Sequence, residues 1–154
     1  MRLNKLVSIV GICAVSVVPL SAMAAKNIVN AESGMCLDAT SVGGMVQQSK
    51  CNPALKAQGW NIEGNRIVNA HWTKECLDVY VVKEYPFLNT VQTSKCEGWK
   101  KAQEWKVGEK SGEIQNNYTS QCLAAPGPRD LGPVKALPCR GKSVFQKWQV
   151  RDVK

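Results

Sequence analysis

The chain has 154 residues, with 20 Lys+Arg against 12 Asp+Glu and a net charge of +8. That length suits one compact domain rather than two sizeable ones. An apolar fraction of 44% excludes a chain that is disordered throughout. The basic balance permits an acidic partner but selects none.

In chain order, residues 1–24 read as a signal peptide. Arg2 and Lys5 make a short basic start, Leu6–Leu20 is mostly apolar, and Ala22 and Ala24 supply the small residues before a cut. The apolar run, about 15 residues, is short for a membrane span. Cys13 leaves with this leader; Ile12 stands where a lipid-anchored cysteine expects a small neighbour. The expected mature chain starts at Ala25, and the loss of Arg2 and Lys5 lowers its net charge from +8 to +6. Its expected destination is secreted or periplasmic, with no transmembrane segment after cleavage.

Residues 25–154 hold six cysteines and one unit written three times, over about 27–64, 65–110 and 111–154. Block one has Ile28-Val29-Asn30, Cys36-Leu37-Asp38, Val46, Cys51 and Gln58-Gly59-Trp60. Block two has Ile67-Val68-Asn69, Cys76-Leu77-Asp78, Val91, Cys96 and Gln103-Glu104-Trp105. Block three has Ile114-Gln115-Asn116, Cys122-Leu123-Ala124, Val134, Cys139 and Gln146-Lys147-Trp148. The spacing from Val to the second Cys, and from that Cys to the Gln, is the same in all three. Length varies chiefly between the first Cys and the Val. Constant elements joined by adjustable loops are the mark of a repeat architecture.

Each block reads as short strands. Asn27–Ala31, Met35–Thr40, Met45–Cys51 and Gly59–Ile62 are brief, part-apolar runs broken by Gly, Ser, Asn or Pro. Equivalent runs in block two are Arg66–Ala70, Glu75–Tyr80, Thr90–Cys96 and Glu104–Val107. One short turn is expected before each Gln-x-Trp in blocks one and two. No long window keeps a helical stripe. A unit this small cannot bury its own apolar face, so three must share a core centred on Trp60, Trp105 and Trp148. An even cysteine count in an exported chain reads as disulfides. Equivalent units pair within themselves, as Cys36–Cys51, Cys76–Cys96 and Cys122–Cys139.

The block opened by Cys-Leu-Asp and closed by Cys and Gln-x-Trp resembles the ricin B-type family of β-trefoil lectins, from Ile28 to Trp148. The resemblance implies an all-β trefoil of twelve strands, four per block, in a six-stranded barrel with a hairpin cap. It implies glycan or glycoprotein binding, often as the binding subunit beside a separate catalytic or toxin chain. In family sites the Asp of Cys-Leu-Asp accepts hydrogen bonds from sugar hydroxyls, a role that falls on Asp38 and Asp78 but not on Ala124. The polar residue four before the second Cys is Gln47 and Gln92, with Lys135 in block three. The family's stacking aromatic, two before that Cys, is replaced by Ser49, Ser94 and Leu137. The Asn before the Gln of Gln-x-Trp is replaced by Ala57, Ala102 and Phe145. Block three has lost the pattern; blocks one and two keep about half.

Block two also carries a long loop, Val81 to Asn89, containing Tyr85 and Phe87, with Trp72, Tyr80 and Trp99 nearby in sequence. Such aromatics form recognition surface or plug a barrel end. No catalytic arrangement stands out. His71 is the single His, the mature cysteines are committed to bonds, and Asp38 and Asp78 belong to separate blocks. With no Cys-x-x-Cys pair and one His, neither a metal site nor a cofactor is expected. Nucleic acid is not an expected partner of an exported disulfide domain. The reading is a non-catalytic lectin-like protein. Its alternative is a trefoil that has lost sugar binding and serves as a protein-binding subunit or inhibitor.

Overall fold

The computed structural model describes residues 24–81, 83–84, 89–128 and 132–153. The leader, apart from Ala24, lies outside the described residues, as do Tyr85 and Phe87. Block one supplies β1 (Lys26–Asn30), β2 (Cys36–Ala39), β3 (Val46–Ser49) and β4 (Trp60–Glu63). Block two supplies β5 (Arg66–Asn69), β6 (Glu75–Tyr80), β7 (Asn89–Lys95) and β8 (Trp105–Val107). Block three supplies β9 (Ile114–Asn116), β10 (Gln121–Ala124), β11 (Gly132–Pro133), β12 (Lys135–Pro138) and β13 (Trp148–Asp152). The thirteenth segment is not an extra strand position. β11 and β12 are the third strand of block three, divided at Val134, the equivalent of Val46 and Val91. β11 pairs with β3 of block one, while β12 pairs with β10 and β7. A 3-10 turn precedes each Gln-x-Trp tryptophan: Lys56–Gln58, Lys101–Gln103 and Val144–Gln146.

Six strands close a barrel. β1 pairs with β13 and β4, β4 with β5, and β8 with β9. Trp105 N donates to Asn65 O, and Trp148 N to Gly112 O, both at 2.7 Å, linking the start and end of blocks two and three at equivalent places. Lys26 and Asp152 form an ion pair across the first and last strands, and this lowers the Asp152 pKa. The pairs β2–β3, β6–β7 and β10–β12 form the cap hairpins.

Alternation along these strands sorts the side chains. Leu37, Leu77 and Leu123 face inward and join Ile28, Ile67 and Ile114, Val46, Val91 and Val134, and the three tryptophans in one buried core. Each indole Nε1 donates to the leucine carbonyl of its own block at 2.9 Å: Trp60 to Leu37, Trp105 to Leu77 and Trp148 to Leu123. The polar end of each buried ring is therefore satisfied, which removes the main cost of placing tryptophan at the centre. The three disulfides pair as the repeat requires, Cys36–Cys51, Cys76–Cys96 and Cys122–Cys139.

Asn30, Asn69 and Asn116 are fully buried and bind the blocks to one another. The Asn69 side-chain amide donates to Ala57 O at 2.9 Å, Asn116 to Ala102 O at 2.8 Å and Asn30 to Phe145 O at 3.1 Å. Each Oδ1 accepts two backbone N–H groups of the following turn, as Asn69 does from His71 and Trp72 at 3.0 Å. One short side chain thus ends a strand, shapes a turn and holds the neighbouring block.

Candidate functional site

The outer faces of β2 and β6 carry Asp38 and Asp78, because the inward positions are taken by Leu37 and Leu77 and side chains alternate. The loop after each disulfide folds back over this face. Both carboxylates are consequently buried: Asp38 is 8% exposed and the Asp78 side chain 1%. Ser49 Oγ donates to Asp38 Oδ2, and Ser94 Oγ donates to Asp78 Oδ2. These serines stand where the family pattern has its stacking aromatic.

The glutamines of Gln-x-Trp complete each network. Gln58 Nε2 donates to Ser49 Oγ at 2.8 Å, to Lys50 O at 3.0 Å and to Asp38 Oδ2 at 3.2 Å. Its Oε1 accepts from Asn52 N at 2.8 Å. Gln103 repeats this with Ser94 Oγ and Lys95 O, both at 2.8 Å, and with Glu97 N at 2.9 Å. Block three keeps the glutamine, with Gln146 donating to Pro138 O at 3.0 Å and accepting from Arg140 N at 2.7 Å. It lacks both the carboxylate and the hydroxyl, having Ala124 and Leu137 in their places. The acid and its serine are therefore present together in two blocks and absent together in the third. That pairing follows from chemistry, since either group buried alone would lose its partner.

Block two differs from block one in its cation. Lys100 reaches across the face and forms an ion pair with Asp78. Its Nζ also donates to Ser94 Oγ at 3.2 Å. The equivalent positions in the other blocks, three before the Gln, are Leu55 and Ser143. Asp78 Oδ1 is buried and has no hydrogen-bond partner among the described residues.

The register gathers further residues around Asp78. Gln92 lies directly opposite it, and Tyr80 lies two residues along on the same face, opposite Thr90. Gln92 is half-buried. Tyr80 is 57% exposed; Trp99, next to Lys100 in sequence, is 76% exposed. In block one Gln47 lies opposite Asp38 and is half-buried, and it also faces Pro133 of block three. Trp72 is not on this face: it is half-buried and packs against the core. The structure thus brings Asp78, Gln92 and Tyr80 to one side of block two, with Trp99 exposed next to Lys100, the partner of Asp78, and keeps Asp38 and Gln47 apart in block one.

Residue type alone does not mark Lys100, Ser49 and Ser94 as members of these networks. The joint change of Asp and Ser to Ala and Leu in block three was the available signal. Among the described residues no group of three His, Cys, Asp or Glu side chains could hold a metal ion. Nor is any helix among them long and apolar enough to cross a membrane.

Comparison with known proteins agrees with the threefold architecture. The model of the ricin-type beta-trefoil lectin domain matches residues 21–85 and 82–154. The chain belongs to this family of non-catalytic lectin domains. It is similar to a designed threefold symmetric protein, ThreeFoil, with 20% identity and a TM-score of 0.69, covering 82% of this chain and 97% of that one. It is similar to an agglutinin from Abrus precatorius, with 20% identity and a TM-score of 0.68, covering 82% of this chain and 46% of that one. A mosquitocidal holotoxin gives 18% identity and a TM-score of 0.72, over 84% of this chain and 17% of its own. The chain spans less than half of the last two proteins. Comparison with curated protein sequences finds no match.

Proposed function

We propose that the protein is an exported, non-catalytic lectin module that recognises a glycan or glycoprotein through the outer face of block two. The observations that support this are Tyr80 and Gln92 on the face of Asp78 and an exposed Trp99 next to Lys100, on a fold that belongs to a lectin family. Two exposed rings supply the apolar surface a sugar face needs, in place of the aromatic that Ser94 replaces. Gln92 supplies an amide that both donates and accepts hydrogen bonds. Residues 1–24 act as the signal peptide, and Ala25–Lys154 form the mature binding unit. A separate catalytic or toxin chain is a fitting partner, since sugar binding alone performs no chemistry. The chain's similarity to part of a holotoxin supports that role without identifying the partner.

One observation favours a second reading. Asp38 and Asp78, the two acids of the family pattern, are both turned into internal networks. A trefoil that has given its acids to structure can present the same aromatic face to a protein instead.

A glycan array with the oxidised chain and its Tyr80→Ala/Trp99→Ala variant separates these readings. Both rings are exposed, so the variant is expected to keep the wild-type melting temperature. Glycan binding that falls by about ten-fold or more, roughly 1.4 kcal/mol, supports the lectin reading. Glycan binding unchanged in the variant refutes this face as the sugar site. Absence of any glycan signal, with a ring-dependent protein captured instead, establishes the second reading.

A further inference from the structure

A separate recess lies where blocks one and two meet, away from the face of Asp78. It has a volume of about 450 Å³ and is lined by Val42, His71, Trp72, Lys74, Glu75 and Lys95. That volume falls within the roughly 300–1,000 Å³ of ligand pockets, but the recess is shallow and open, so a ligand there would keep much of its surface in water.

Its floor comes from a local difference between the blocks. Block two has one more residue between its buried Asn and first Cys, from Asn69 to Cys76, than block one from Asn30 to Cys36 or block three from Asn116 to Cys122. The longer turn is held by Asn69 and by a bond from Glu75 N to Trp72 O at 2.8 Å. Trp72 rests against the core on one side and lines the recess with what remains open. His71 lies against it, with ring centres 5.0 Å apart.

The opposite wall is a loop of block one, and it is clamped. Thr93 N donates to Gly44 O at 2.8 Å, and Thr93 Oγ1 donates to Ser41 O at 3.0 Å. Gly43 N donates to Glu75 Oε2 at 3.0 Å. A Cβ at Gly44 would meet Ser41 Oγ at 2.2 Å and Thr40 Oγ1 at 2.8 Å, so those hydroxyls would have to turn aside. Val42 is thereby held at the recess, and little ordering is left for a ligand to impose.

The charges are unequal in availability. Glu75 is buried and occupied by the Gly43 amide. Lys74 and Lys95 are exposed, and neither has an ion pair among the described residues. Lys95 stands directly opposite Glu75 in the register, yet the two side chains do not pair. Two free ammonium groups therefore border a half-buried indole.

We propose that this recess binds an anionic sugar ring, with the ring's C–H face on Trp72 and its carboxylate or sulfate between Lys74 and Lys95. The proposal rests on the lectin reading of the fold but uses a different surface from Tyr80 and Trp99. Charge-assisted hydrogen bonds to the lysines favour the acid over a neutral sugar of the same shape. The indole restricts the ligand to one that offers an apolar face.

The test titrates 3′-sialyllactose, 3′-sulfolactose and lactose into the oxidised chain, read by calorimetry and saturation-transfer NMR. At least one acid is expected to bind about ten-fold or more tightly than lactose, and more weakly as salt is raised. The better of the two acids identifies the anion. Because Trp72 supports the core, the variant is Lys74→Glu/Lys95→Glu, which alters only exposed side chains and is checked by its melting temperature. This variant is expected to lose the preference for acid, while Tyr80→Ala/Trp99→Ala keeps it. Equal binding of lactose and the acids, or unchanged acid binding in the lysine variant, overturns the proposal. If neutral glycans bind through Tyr80 and Trp99 with no acid preference, this site falls and the lectin reading stands. If no saccharide binds at all, both fall.

Discussion

The ion pair on the outer face of block two is expected to respond asymmetrically to removal of its two partners. Lys100→Met keeps the aliphatic stem but strands a carboxylate whose side chain is 1% exposed, with Ser94 as its remaining donor. Breaking a buried pair in this way costs about 3–5 kcal/mol, because the uncompensated charge stays buried. Asp78→Ala instead frees Lys100, whose side chain is 28% exposed and can turn its ammonium to water. That change loses the pair and leaves Ser94 short of an acceptor, a cost of about 2 kcal/mol. Block three shows how the same scaffold does without the network, with Ala124, Leu137 and Ser143 at the equivalent positions. The triple variant Asp78→Ala/Ser94→Leu/Lys100→Ser is therefore expected to lie within about 1 kcal/mol of wild type, far from the sum of its parts. Urea denaturation of the oxidised proteins, followed by tryptophan fluorescence, measures all three. The reasoning is refuted if Asp78→Ala proves as costly as Lys100→Met, or if the triple variant is the least stable.

Two further expectations concern the repeat scaffold. Ser120 has a φ of 57°, at the place where block one has Gly34 with a φ of 69°. Ser120→Gly removes the steric cost of a Cβ in that region and is expected to stabilise by about 0.5–1 kcal/mol, read as a higher melting temperature. The Cys76–Cys96 bond spans the longest loop of the three, with a separation of 20 against 15 and 17. Replacing both cysteines by alanine is expected to cost about 3 kcal/mol, measured by denaturation beside the untouched protein. An unchanged midpoint would mean the loop is already constrained when unfolded.

Several features of the fold were legible before any coordinates. Equal spacings around Val, Cys, Gln and Trp require equivalent elements, and equivalent elements require the cysteines to pair within blocks. The tryptophans were legible for the same reason, since a large apolar residue recurring once per block must go where the blocks meet. The loop aromatics were legible only as a group. Tyr80 and Trp99 proved exposed while Trp72 rests against the core, because exposure depends on what folds over a residue from elsewhere in the chain.

The acids show the same limit more sharply. Asp38 and Asp78 match a sugar-binding pattern by position, and in that pattern Ser49 and Ser94 are only a missing ring. In the folded chain each serine is the donor that satisfies its acid. The pair Asp78–Lys100 is separated by 22 residues and meets only because the segment after Cys96 folds back over β6.

The amino-acid sequence by itself determined the threefold fold, the disulfide partners and the composition of the core, because all three follow from periodic constraints written along the chain. Tertiary structure alone decided which polar groups are consumed internally and which remain free at the surface. Burial and hydrogen-bond partnership are properties of segments brought together from different places, and they leave no periodic trace in a single block.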